Sequence, residues 1–113
     1  MGMDLSAKVF YGFELVPDHS ADESLRERVY EGDFDDWAGN KTNSPCATET
    51  IGWGDTTRVL GIRGTFVEAK SGQLKAFALK EVDPAWDEQL RAWCAEHGFK
   101  AGTPSWQVGA EYI

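Results

Sequence analysis

The chain has 113 residues, two cysteines and a net charge of −8. That length sets one domain, and the acidic balance argues against direct binding to nucleic acid or anionic lipid. With 42% hydrophobic residues and five tryptophans, disorder of the whole chain is excluded, because disordered sequences are poor in aromatics.

Residues 1–6 read as a disordered start or a cloning remnant. From Lys8 to Val16 the sequence alternates, with Val9, Tyr11, Phe13 and Leu15 on one face. Period-two alternation of β-branched and aromatic residues predicts a strand, closed by Pro17. Residues 20–31 predict a short helix. Ser20 and Glu23 have capping-box spacing, and Leu25 and Val29 share a face.

Acids gather here. Residues 18–36 hold Asp18, Asp22, Glu23, Glu27, Glu31, Asp33, Asp35 and Asp36 against Arg26 and Arg28, which is −6 of the −8. A solvated face is the ordinary meaning of such a run. The sharper one is a surface for a basic protein partner, with Asp33, Asp35, Asp36 and Trp37 as its candidate residues. Residues 32–55 predict a long irregular loop, since glycines, asparagines and Pro45 break any period.

Residues 59–67 and 74–79 predict a hairpin around Ser71-Gly72. A two-residue loop sets Phe66 opposite Phe77, Glu68 opposite Lys75 and Gly64 opposite Leu79. The Glu68-Ala69-Lys70 tripeptide, with Asp55 upstream, also has the spacing of some metal-dependent nucleases. It is a frequent surface tripeptide, and a charge of −8 suits DNA cutting poorly.

Asp83 and Pro84 begin a helix predicted over 83–97. Trp86, Leu90, Trp93, Cys94 and His97 form one stripe along it, and Gly98 ends it. Residues 106–112 alternate as a last strand. Together these elements predict an α+β domain with a mostly antiparallel sheet of about four strands, one long and one short helix. The order βαββαβ matches a ferredoxin-like, split-βαβ arrangement.

Cofactor and catalytic patterns are weak. Cys94-x-x-His97 places two metal-ligand types on one helical face, with Cys46 and His19 as candidate partners. Both residues also extend an apolar stripe, where cysteine acts as a small hydrophobe. From Asp33 the calcium-loop pattern fails at Trp37 and Ser44. Phosphate-loop, dinucleotide and nucleophile-elbow patterns are absent, so no cofactor and no catalytic residue is expected. No apolar run fits a signal peptide or membrane span, which makes a soluble cytoplasmic protein the expectation.

Ile51-Gly52-Trp53-Gly54-Asp55, Val59-Leu60-Gly61-Ile62 and Pro104-Ser105-Trp106-Gln107-Val108 resemble small, uncharacterised bacteriophage and prophage proteins over the C-terminal two thirds of the chain. The resemblance implies a bacterial host cytoplasm and an accessory protein that binds, and can disable, a host protein such as a nucleic-acid-binding restriction or CRISPR component. It carries over no site residues. Alternatives are a small-ligand or metal-dependent enzyme site between the 32–55 loop and the sheet, and a structural homodimer joined through a strand edge. The expected state is a monomer or homodimer.

Overall fold

The computed structural model describes residues 5–16, 27–29, 31–40, 42–52 and 57–112. Its elements run β1 (Leu5–Glu14), α1 (Phe34–Trp37), β2 (Cys46–Ile51), β3 (Thr57–Ile62), β4 (Val67–Lys70), α2 (Pro84–His97) and β5 (Ser105–Tyr112). All strand pairs are antiparallel, and the class is α+β. No helix among the described residues is long and apolar enough to cross a membrane.

β1 is the central strand. β5 pairs along one edge of it, from Leu5↔Tyr112 to Gly12↔Ser105. The other edge takes β4 near the start, Ser6↔Lys70 to Val9↔Val67, and β3 near the end, Gly12↔Gly61 to Glu14↔Val59. β2 then pairs with β3. β3 and β4 are therefore two halves of one interrupted strand. Counted so, the sheet has four strands, as expected, in the split-βαβ order β5-β1-β3-β2.

The interruption has a local cause. Phe10 and Tyr11 of β1 face five residues, 62–66, on the other side. Gly64, at φ +91°, turns the extra residues outward. The Thr65 hydroxyl donates to the Ile62 carbonyl at 2.7 Å and accepts the Tyr11 N–H at 3.1 Å. A side chain thus replaces the missing ladder partner, as a buried N–H requires.

The helices cover one face. Tyr11, Phe13, Leu15, Leu60 and Ile62 from the sheet pack with Phe34 of α1 and Leu90, Trp93 and Cys94 of α2. The α2 stripe is the predicted one. Its start is capped by Asp83, whose carboxylate accepts the Ala85 N–H at 2.9 Å. Its end is closed by Gly98 at φ 82°, with Phe99 N–H donating to the Cys94 carbonyl. Tyr11 ties β1 to α2 by donating to Asp87 at 2.8 Å.

Three expectations change, and a fourth is not reached. Leu5 and Ser6, placed in a disordered start, open β1. The 32–55 stretch is not a loop throughout, because it holds α1 and β2. The short helix over 20–31 lies mostly outside the described residues. The 59–67/74–79 hairpin is replaced: its first arm is split into β3 and β4, and its second arm stays out of the sheet.

The turn itself forms. Gln73 N–H donates to the Lys70 carbonyl at 2.8 Å, and Gly72 has φ +78°. No residue other than glycine has positive φ among those described, so this is a type II turn with glycine at its third position. Type II turns splay the arms of a hairpin, because their twist opposes that of paired strands. The Gln73 side chain, not its carbonyl, then accepts the Lys70 N–H, at 3.2 Å.

Candidate functional site

The acidic segment is docked by arginines. Arg58 reaches back from β3 and donates to the carbonyls of Val29 at 3.0 Å and Glu31 at 3.2 Å, and to Asp35 at 3.4 Å. Its guanidinium also lies 5.1 Å from the Phe34 ring centre. Arg28 bonds Glu31 at 2.7 Å and Asp33 at 3.0 Å and lies 5.3 Å from the Trp37 ring centre. Thr48 donates to Asp35 at 2.6 Å. Asn40 behaves as an extra backbone unit, giving a hydrogen bond to the Thr48 carbonyl and accepting one from its N–H.

Asp33, Asp35, Asp36 and Trp37, expected in an irregular loop, lie on and beside α1, and they are engaged differently. Asp35 holds the segment to β2 and β3. Asp33 is paired with Arg28, and Asp36 is exposed. Trp37 is half-buried, packed on Phe34 and on the edge of His97.

The weak metal alternative, Cys94 with His97, does not form a site. Cys94 is buried in the core beside Cys46, and burial pushes both thiols up to about 11. A metal ligand must be thiolate, and this environment disfavours it. The His97 ring stacks on Trp93 at 4.0 Å, with Nδ1 2.8 Å from the Trp93 carbonyl oxygen. Among the described residues no three His, Cys, Asp or Glu side chains are grouped to hold a metal ion. His19 and Asp55 lie outside them.

The sheet face away from the helices carries a charge cluster that spacing did not reveal. Lys8 bonds Glu111 at 3.0 Å and Glu49 at 3.5 Å, and Glu68 sits opposite it on β4. Ser6 donates to Glu68 at 3.0 Å. Burial works against the Lys8 ammonium, but the Glu111 hydrogen bond and the charges of Glu49, Glu111 and Glu68 outweigh it, and its pKa is raised. Held as an ammonium, Lys8 is no base or nucleophile near neutral pH.

Beside the cluster lie an open cavity of about 300 Å³, lined by Phe10, Ile51, Val59 and Val108 among others, and one of about 160 Å³ at Lys8, Glu49 and Phe66. Phe66 stacks on Phe10 at 5.1 Å across Gly61.

The remaining feature is the second arm of the expected hairpin. Residues 71–85 are all exposed. Leu74 is 98% exposed, Leu79 58%, Phe77 48% and Val82 37%. Among the described residues no backbone hydrogen bond reaches 74–82. The arm is tethered at the Ser71-Gly72 turn and by Lys80 Nζ, 3.4 Å from the Gly64 carbonyl oxygen. The sequence held the signal for it in the order of two residues, since glycine second in Ser-Gly selects the splaying turn.

No family model matches this chain, and neither a curated protein nor a solved structure does.

Proposed function

We propose that the chain is a protein-binding module that acts by association rather than catalysis. The observation that carries this reading is the arm: a segment outside the sheet with four exposed apolar side chains and, among the described residues, no backbone hydrogen bond. Exposed apolar clusters of this kind mark interaction sites. Backbone free to pair supplies the other half, because strand addition draws affinity from main-chain hydrogen bonds and specificity from alternate side chains. The acidic face around α1 is the lesser candidate contact, since Arg28 and Arg58 already engage Asp33 and Asp35.

The test compares the full chain with a Leu74→Ser/Phe77→Ser/Leu79→Ser variant in chemical crosslinking and affinity capture from host lysate. All three positions are exposed, so the variant keeps the fold and its circular dichroism. Partners, whether this chain or another protein, are expected with the wild type and lost with the variant. Equal recovery by both, or none by either, overturns the reading.

A second reading rests on the 300 Å³ cavity, which lies on the sheet itself between Ile51 at the end of β2 and Val108 of β5. A small apolar ligand there would quench or shift tryptophan fluorescence and protect Val108 from exchange. An unchanged spectrum across a panel of hydrophobic probes would sink it.

A further inference from the structure

We propose that residues 74–82 pair with the same residues of a second copy, as a two-fold antiparallel ribbon in the register that sets Ala78 opposite Ala78. This rests on the arm being the contact surface, and it names the partner.

The reason lies in how the arm reads against itself. Its sequence is Leu74-Lys75-Ala76-Phe77-Ala78-Leu79-Lys80-Glu81-Val82. With Ala78 on the axis, Leu74 faces Val82, Phe77 faces Leu79, and Lys75 faces Glu81; two-fold symmetry makes each of these pairs twice. All four exposed apolar side chains then meet apolar partners. Both Lys75 ammonium groups meet carboxylates. The small Ala78 lies on the axis, where two identical side chains face each other. Directly opposed apolar and opposite-charge pairs are the stabilising unit of an antiparallel ladder.

Neighbouring registers lose this match. With Phe77 on the axis, Lys75 faces Leu79 and Leu74 faces Lys80. With Leu79 on the axis, Phe77 faces Glu81. With Ala76 on the axis, Lys75 faces Phe77. Only the Ala78 alignment sets Leu74, Phe77, Leu79 and Val82 all against apolar partners and Lys75 against Glu81; its remaining pair is the small Ala76 with Lys80. An isologous contact of this kind closes at two subunits, so an exposed strand need not propagate into fibres.

The competing occupant is the chain's own β4, in the register Phe66–Phe77 and Glu68–Lys75. That pairing needs a turn that brings the arms together, and the type II turn at Ser71-Gly72 splays them.

Charge exchange separates the two. In the ribbon, Lys75→Glu sets four carboxylates in two facing pairs and weakens the dimer roughly tenfold in sedimentation equilibrium. Glu81→Lys alone does the same. The Lys75→Glu/Glu81→Lys double variant restores wild-type association, because each pair is simply inverted. Intrachain pairing on β4 predicts no rescue, since Lys75 would face Glu68.

A second measurement fixes the register. Cys46 and Cys94 are buried, so a single new cysteine reports alone. Ala78→Cys is expected to form a disulfide-linked dimer with diamide, because opposed residues lie about 4.5–5.5 Å apart at Cα. Ala76→Cys, about 14 Å from its own copy in this register, stays monomeric.

A monomeric wild type at about 1 mM, absent rescue, or equal crosslinking at positions 76 and 78 overturns the ribbon. If the ribbon fails while another protein is still captured through Leu74, Phe77 and Leu79, the association reading stands with a different partner. If capture is lost as well, both fall.

Discussion

Lys8 and Glu111 form an ion pair, 3.0 Å long, that helps close the outer strands of the sheet over its centre. The second Glu111 oxygen accepts the Gly52 N–H at 2.8 Å, just past the end of β2, while Lys8 also reaches Glu49 on β2. Strands β2 and β5 sit at opposite ends of the strand order, yet Ile51 packs where a side chain at Gly109 would stand. The pair is thus a clasp across a curled sheet.

Removing one partner leaves a buried charge without compensation. Lys8→Met is expected to destabilise the fold by about 3 kcal/mol in urea titration, whereas Lys8→Met/Glu111→Leu recovers most of that loss. A double variant no more stable than the single one would show that the pair is not what holds Glu111.

Gly61 lies under the Phe10–Phe66 stack, and a Cβ there would stand 2.7 Å from the Phe66 ring and 2.9 Å from the Phe10 ring. Gly61→Val must push both rings aside. The expected loss is about 2 kcal/mol of stability, read as a lower denaturation midpoint. Combining it with Phe66→Ala, which makes room, is expected to cost less than the two single changes added together.

Among the described residues, four groups tie stability to alkaline pH. Burial pushes Cys46 and Cys94 from 9.0 up to about 11. Burial and the Asp87 hydrogen bond raise Tyr11, and Lys8 is raised by its glutamates against the cost of burial. Each folded-state pKa lies above its unfolded value, so each contribution is whole below the unfolded value and is lost as pH rises toward the folded one. The free energy of unfolding is therefore expected to fall steadily from pH 9 to 11. Cys46→Ala/Cys94→Ala should flatten that slope; an unchanged slope would assign the loss elsewhere.

The turn decides the fate of the arm. Ser71→Asn creates Asn-Gly, the residue pair of the type I′ turn, whose twist suits a hairpin. The arm is then expected to fold back on β4, with more strand signal in circular dichroism and weaker self-association. Unaltered association in this variant would mean the turn does not control the arm.

Much of the fold was legible because it is written in local periodicity. The alternation of Tyr11, Phe13 and Leu15, the α2 stripe through Leu90, Trp93 and Cys94, and the Asp83-Pro84 and Gly98 boundaries each specify an element within a few residues. The split-βαβ order was also anticipated, though with the wrong strands in two places. β2 was missed because Cys46-Ala47-Thr48-Glu49-Thr50-Ile51 lacks a strong alternation and follows a run of turn residues. Of the candidate site residues, Asp33, Asp35, Asp36 and Trp37 are neighbours in sequence and lie on and beside α1, but their partners were not legible. Arg28 and Arg58 carry no mark in the sequence that tells which carboxylates they will meet.

By itself, then, the sequence determined the elements whose signals lie within one or two turns of chain: the α+β class, the long helix and its caps, the core face of β1, and the turn at Ser71-Gly72. Only the tertiary structure decided the rest. It split one strand into β3 and β4 around Gly64, brought Lys8 to Glu111, and left Leu74, Phe77, Leu79 and Val82 in water. The physical reason is the same in each case. Period and propensity say which face of an element is apolar, whereas strand pairing across tens of residues is chosen by which backbone groups and side chains can be satisfied together.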